Sequence, residues 1–222
     1  MTDTGRETNA PMSRQLVLTT ALAIIDRDGV DGLSLRRLAQ ALGRDPMTLY
    51  RYAKGKPALL DGVVELVMSQ LTIDATDDDW AGQLRKAARS FRQMALDHPK
   101  VVPLIVTRPL VTPLALRAPS TLRPFEDCLE LLTRAGFTDS AALAAYRIYS
   151  AFLNGHILNE LQAIVDNADE TDALLRLGLH NLPAREFPLL RGLAPVLATY
   201  DGEAELERGL DILLPALAPQ PR

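Results

Sequence analysis

Apolar residues recur along this chain at intervals of three and four, and runs alternating with a period of two are absent. The first stripe follows Ser13: Val17, Ala21, Ile24 and Ile25 mark one face of a helix, and Gly29 is its stop signal. Ser13 suits the start because its hydroxyl can accept a bond from an unpaired N–H of the first turn. Ser34 caps a second, short helix in the same way, with Leu35, Leu38, Ala39 and Leu42 apolar and Gly43 at its end. Asp45 and Pro46 open a third: a capping carboxylate, then a ring whose fixed φ fits the first helical position. This helix is brief, reaching about Tyr52 before "KGK" breaks it. Pro57 opens a fourth, with Leu60, Val63, Val64, Val67 and Leu71 on one face.

The acidic stretch "TDDDW" reads as a junction, followed by a helix from about Trp80 to Asp97. Six prolines lie between Pro99 and Pro124, so only short helical pieces fit there. Further helices are predicted at about 120–135, ended by Gly136, and at about 139–165. The polar stretch "DNADETD" is a loop. A weaker helix follows near 171–180, and two more cover about 186–199 and 203–217, separated by "YDGE". The predicted fold class is all-α. Composition agrees: 47% of residues are hydrophobic and only 5% aromatic, so a sizeable core can form without the residue types that favour strands.

Charge changes the picture. Residues 1–56 hold nine Lys/Arg and six Asp/Glu, a balance of +3, while the remainder holds fifteen and twenty-two, a balance of −7. A basic module on an acidic body points to a polyanionic partner for the module alone. Between Ser34 and Lys56 stand six basic residues, one acid and two tyrosines. Two short helices joined by a tight turn, with Ala39, Gly43 and Leu49 at this spacing, read as a helix-turn-helix. Ala39 is small where the second helix crosses, Gly43 permits the turn, and Leu49 anchors the second helix inward. An ordinary helical hairpin leaves Met47, Thr48, Tyr50, Arg51 and Tyr52 poorly used on a solvated face. In a helix-turn-helix the second helix enters the major groove with its N-terminal side chains toward the bases.

Other chemistry is thin. Cys128 is alone and reads as a small apolar helix residue; His98, His156 and His180 share no ligand spacing. No nucleophile is paired with a base, and no carboxylates cluster as an enzyme site requires. No apolar run approaches the ~20 residues that span a bilayer, and the polar start carries no signal segment. These features predict a cytoplasmic protein with no membrane partner, residues 1–12 forming a disordered arm.

The segment "GLSLRRLAQALGRDPMTLYRYAKGKPALLDGV" closely resembles the DNA-binding segment of TetR-family transcriptional regulators, most strongly in "LRRLAQALG" and "TLYRY". "HPKVVPLIVTRP", "LELLTRAGF", "AALAAYRIYSAFLNG" and "FPLLRGLAPVLATYDGEAELERGLDILL" resemble the C-terminal domain of its tetracycline-repressor subgroup. The resemblance implies a three-helix DNA-binding domain at 13–58 and a larger helical ligand-binding and dimerisation domain at 59–222. It implies a homodimer on double-stranded operator DNA, released by a small-molecule inducer.

Matched position by position, the DNA contacts fall on six residues. Met47 and Thr48 lie near the start of the recognition helix, within reach of base edges or a thymine methyl. Arg36 reaches into the groove. Tyr50 and Tyr52 meet the phosphate backbone, although Tyr52 also fits as packing at the helix end. Lys56 opens the fourth helix beside its free amides. Arg44 departs from the small apolar residue usual at its turn position, and either faces solvent or phosphate or loosens the packing there.

The resemblance places the ligand pocket at Phe91, Leu104, Thr107, Leu131, Phe152 and Asn159, each of which also fits as ordinary core. The polar groups with which tetracycline repressors hold a drug–magnesium chelate are here mostly changed, at Thr72, Ala87, Leu104, Ala151 and Asn159. Methyl groups cannot ligate a metal, so no tetracycline–magnesium site and no cofactor are expected, and the inducer should be mainly apolar. A dimer interface is expected on Leu206, Leu210, Leu213, Leu214 and Leu217. Phe187, Leu190, Leu193, Ala194 and Leu197 make a second stripe, so that one face covers the monomer core and the other meets a partner.

Overall fold

The computed structural model describes residues 12–106, 119–165 and 178–219, and among these there is no β-strand. The helices in chain order are α1 (Arg14–Gly32), α2 (Leu35–Ala41), α3 (Pro46–Leu49), α4 (Lys56–Met68), α5 (Trp80–Asp97) and α6 (Val102–Val106), followed by α7 (Pro119–Arg134), α8 (Asp139–Val165), α9 (Pro188–Gly192), α10 (Ala194–Leu197) and α11 (Gly202–Leu217). A 3₁₀ turn, Leu179–Asn181, precedes α9. The expected arm at 1–12 lies, but for Met12, outside the described residues. So do Thr107 and most of the weak helix expected near 171–180.

The chain divides into two compact units. One runs to Thr72 and takes in His98–Phe125; the other comprises Ile73–Asp97 and Glu126–Arg222. In the first unit α1 packs on α4. Val17, Leu18, Ala21, Leu22, Ile24 and Ile25 of α1 are buried, as are Leu59, Leu60, Val63 and Val67 of α4. Each of the buried Val, Leu and Ile side chains contributes about 1.5–3 kcal/mol of burial. Gly62 of α4 lies against the Leu18 side chain, where a Cβ would intrude. This packing carries the first unit through α4 to Thr72. Ser13 caps α1, its Oγ accepting from the Leu16 N–H at 3.1 Å. At Gly29, φ +79° kinks the helix, and a short helical stretch continues to Gly32.

In the second unit α5, α8 and α11 pack on one another. Leu84, Ala88, Phe91 and Ala95 are buried on α5, Ala142, Ala145, Tyr149, Leu153 and Ile157 on α8, and Leu206, Leu210 and Leu214 on α11. Those last three are among the residues expected at a dimer interface. Spaced by four, they form one face of α11, and α5 and α8 of the same chain cover that face. Leu213 and Leu217, on its flank, are half-buried. Gly209 of α11 lies against the Phe152 ring, and Gly202 lies against the Glu160 carboxylate. Side chains there would push α11 off α8.

The expected helix at 186–199 is two short ones, α9 and α10, parted at Leu193. Pro195 is the cause: its ring excludes the carbonyl of Arg191 and it has no N–H to donate. On this stretch Phe187, Leu189, Leu190, Leu193, Val196, Leu197 and Tyr200 are exposed. Of the expected apolar stripe, Phe187, Leu190, Leu193 and Leu197 are left uncovered by the described residues and Ala194 is half-buried.

Candidate nucleic-acid interface

The turn between α2 and α3 is built by backbone bonds that the sequence allows. Gly43 sits at φ +61°. Its N–H donates to the Gln40 carbonyl at 3.2 Å, and the Arg44 N–H donates to the Ala39 carbonyl at 2.9 Å. This pair of bonds closes a helix end through a left-handed residue, which glycine adopts without a steric penalty. Two caps start the helices on either side. Ser34 Oγ accepts from the Arg37 N–H at 3.2 Å, and Asp45 Oδ1 accepts from the Met47 N–H at 2.7 Å. Pro46 follows Asp45 in the first turn of α3, as expected.

Burial then sorts the side chains. Leu38, Ala39 and Leu49 are buried, so α3 is anchored by Leu49 beside the small Ala39. Met47 is 72% exposed and Tyr50 is 48% exposed. Arg36, Arg44, Arg51 and Lys54 are exposed, and Thr48 and Lys56 are half-buried. Lys56 is the first residue of α4, after Gly55 at φ +102°. The helical hydrogen bonding of α3 ends at Leu49, but turns continue: the Tyr52 and Ala53 N–H groups both donate to the Leu49 carbonyl.

Two residues are committed elsewhere. The Tyr52 hydroxyl donates to the Met12 carbonyl at 2.9 Å. Its one hydrogen therefore ties the start of α1 to the end of the recognition segment and is not offered to a phosphate in this arrangement. The Arg51 guanidinium lies 5.9 Å from the centre of the Tyr52 ring. Arg37 bonds Asp28 Oδ2 at 2.8 Å and the Gly32 carbonyl at 3.4 Å, clamping α2 to the end of α1. A bond from Arg27 holds the Asp28 carboxyl below the usual carboxylate range. The outward-facing set left on the reading face is Arg36, Met47, Thr48 and Tyr50, on two short, capped and anchored helices.

Residues 17–63 match the model for bacterial regulatory proteins of the tetR family, and residues 74–220 match that for the tetracyclin repressor-like C-terminal domain. The chain belongs to the TetR family. It is 31% identical over 214 residues to the class D tetracycline repressor of Escherichia coli, spanning 92% of this chain and 88% of that one. It is 29% identical to the transcriptional repressor DrrR1 of Streptomyces coeruleorubidus, over 89% of this chain and 73% of that one. The structure of the TetR-family protein ActR of Streptomyces coelicolor in complex with actinorhodin superposes with a TM-score of 0.75 at 29% identity, covering 94% of this chain and 97% of that one. As a TetR-family member, the chain is a ligand-responsive, DNA-binding transcriptional regulator.

The TetR-type second unit holds three of the expected ligand residues inward. Phe91 and Leu131 are buried in its core, and Phe152 is half-buried against Gly209. Asn159 is exposed, because the inward face of α8 here runs through Phe152, His156 and Glu160, one residue away. Leu104, on α6, is half-buried and belongs to the first unit.

The sequence reading missed a buried polar group on that α8 face. Glu160 receives bonds from Arg92 Nε and Nη2 at 2.7–3.1 Å, and His156 Nε2 stands 3.5 Å from Glu160 Oε2. The spacing of four between His156 and Glu160, with Phe152 a turn earlier, is the trace it leaves in the sequence. Among the described residues, no group of three or more His, Cys, Asp or Glu is placed to hold a metal ion. No described helix is long and apolar enough to cross a membrane.

Proposed function

We propose that the chain is a repressor that binds a palindromic operator as a homodimer and leaves it when a small, mainly apolar molecule enters the second unit. The observation that carries this is the exposure of Met47 and Tyr50 on a helix whose other face is anchored by buried Leu49. An apolar and an aromatic side chain kept in solvent on a capped helix suit contact with base edges and backbone. Arg36 and Thr48 supply the polar base contacts, while Tyr50 and Lys56 supply phosphate contacts.

The dimer reading rests on the uncovered apolar stretch from Phe187 to Tyr200, together with Ile148 of α8 and Ile212 of α11, the latter 76% exposed. A soluble regulator gains by covering such a surface with a second copy. The ligand reading rests on donor chemistry. Ala87, Leu104 and Ala151 offer no oxygen or imidazole where the tetracycline repressors hold their chelate. ActR, solved with actinorhodin and with (S)-DNPA, is a precedent for other small molecules on this fold. A regulator of this kind works beside the chromosome, hence in the cytoplasm.

The test is repeated selection of bound duplexes from a random library. A palindromic consensus, bound far more tightly than random duplex, is the expected result. Binding without sequence preference at any salt concentration would sink the proposal.

A further inference from the structure

The two ends of α1 hold the two helices of the reading motif separately. At its start, the carbonyl of Met12, just before the Ser13 cap, accepts the Tyr52 hydroxyl at 2.9 Å. Tyr52 is in turn tied to α3: its N–H and that of Ala53 both donate to the carbonyl of Leu49, the fully buried anchor of that helix. At its end, α1 kinks at Gly29 and closes at Gly32. There Arg37 of α2 donates to the Gly32 carbonyl through Nη1 at 3.4 Å and pairs with Asp28 Oδ2 through Nη2 at 2.8 Å. Arg27 Nε donates to the same Asp28 oxygen at 2.9 Å and helps to hold the carboxylate in place. A Cβ on Gly32 would run into the Asp28 side chain, so the close approach at this end depends on glycine. Between the two ties, α1 is fixed by its buried face on α4. All of these residues lie in the first unit.

We infer that Tyr52 and Arg37 are positioning residues for sequence reading: α1 is a strut that fixes α3 through Tyr52 and α2 through Arg37, and neither side chain contacts DNA. The inference rests on the proposed base contacts of Arg36, Met47 and Thr48. Helix α2 has seven residues and α3 has four. Helices shorter than about 12–15 residues are marginal on their own, so tertiary ties must set where these two lie. Base edges are read by short, directed hydrogen bonds, which weaken steeply when the donor is displaced. Attraction to phosphate falls off slowly with distance and tolerates the same displacement. Loosening a tie therefore costs selective binding and spares non-selective binding. The one hydrogen of the Tyr52 hydroxyl is spent on Met12, and the charge of Arg37 is paired with Asp28. Cutting either tie thus removes no phosphate contact.

The experiment uses the full chain, the duplex selected by the wild-type protein and a random duplex of the same length, titrated at several salt concentrations. Tyr52→Phe keeps the ring and removes only the tie. It should weaken binding to the selected duplex about two- to fivefold, the range of a single hydrogen bond. Random-duplex affinity, helix content and the dependence on salt should stay unchanged. Arg37→Ala should behave in the same way, with a loss of about two- to fivefold for a partly exposed ion pair. Arg37→Lys, which keeps a charge for Asp28, should restore most of that loss. The losses in Arg37→Ala and Asp28→Ala should not add in the double variant, because both cut one tie. A phosphate ligand behaves otherwise: its removal weakens both duplexes alike and lowers the slope of log affinity against log salt by about one. That pattern, in either residue, would overturn the inference, and so would wild-type selectivity in either Tyr52→Phe or Arg37→Ala. A wild-type protein that itself prefers no sequence would overturn the functional reading instead, and this inference with it.

Discussion

Met47 and Leu49 stand two residues apart on α3 and have opposite fates, one 72% exposed and the other fully buried. The helical period turns adjacent odd positions to different faces, so a four-residue helix can be both anchor and reading edge. Between them, half-buried Thr48 is the polar residue closest to that edge. Thr48→Ala is expected to cost about 1–3 kcal/mol on the selected operator and little on random duplex. Lys56→Ala should weaken binding to both and flatten its dependence on salt. Gel-shift titrations at several salt concentrations check both, and unchanged operator affinity in both variants would dismiss the helix-turn-helix assignment. Cys128 tests the second unit. Burial pushes its thiol up to about 12, so at pH 8 it stays protonated as well as enclosed. A chromogenic disulfide reagent should leave it unmodified in the native protein and titrate it after denaturation. Rapid native labelling would mean that the core around α7 is open.

At the scale of elements, α11 is held to α5 by charge as well as by leucines. Glu207 bonds Arg85 at 2.7 Å and Arg89 at 2.6 Å, and Arg85 also bonds Asp211 at 2.8 Å. The bond from Arg89, with that from Arg85, lowers the Glu207 carboxyl from its ordinary 4.5. The sign follows from proton linkage. A carboxylate lowered in the folded state stabilises it above the unfolded value, and that contribution is lost as pH falls through the folded value. Because these groups are partly exposed, the effect is modest and screened by salt. Glu207→Gln should therefore melt below the wild type at neutral pH. The gap should narrow as pH drops below about 4.5 and as salt rises. Melting curves at a series of pH values are the check, and a gap that widened in acid would contradict the assignment.

For the whole molecule, the proposed dimer rests on the exposed stretch from Phe187 to Tyr200. Light scattering at micromolar concentration should report a dimer with and without operator. A species that stays monomeric on the palindrome would defeat the proposed interface. Replacing Leu189 and Val196, two exposed apolar residues on that stretch, by glutamate should shift the protein toward monomer while leaving helix content unchanged. Effector choice is tested at the same scale. Tetracycline with magnesium should not release the protein from its operator, since Ala87, Leu104 and Ala151 bring no metal donors. Release at micromolar drug, abolished by a chelator, would reverse that reading.

What the sequence by itself determined is local. Ser13, Ser34 and Asp45 cap the helices they precede, and Gly43 and Gly136 close the helices they follow, because capping bonds and left-handed turns depend on residues only a few positions apart. The all-helical class followed from the same short-range periodicity, and so did the inward Leu49. Tertiary structure decided whatever depends on what covers a face. Periodicity shows that α11 has an apolar side, but only the packing of α5 and α8 reveals that Leu206, Leu210 and Leu214 are used inside the chain while Phe187 to Tyr200 stays open. The sequence leaves Tyr52 open to phosphate contact or to packing, and only the fold brings its hydroxyl to the Met12 carbonyl, 40 positions away. The pairings of His98 with Asp26 and of Arg92 with Glu160 cross 72 and 68 positions. No spacing rule reaches that far, because such contacts are set by the way separate helices are brought together.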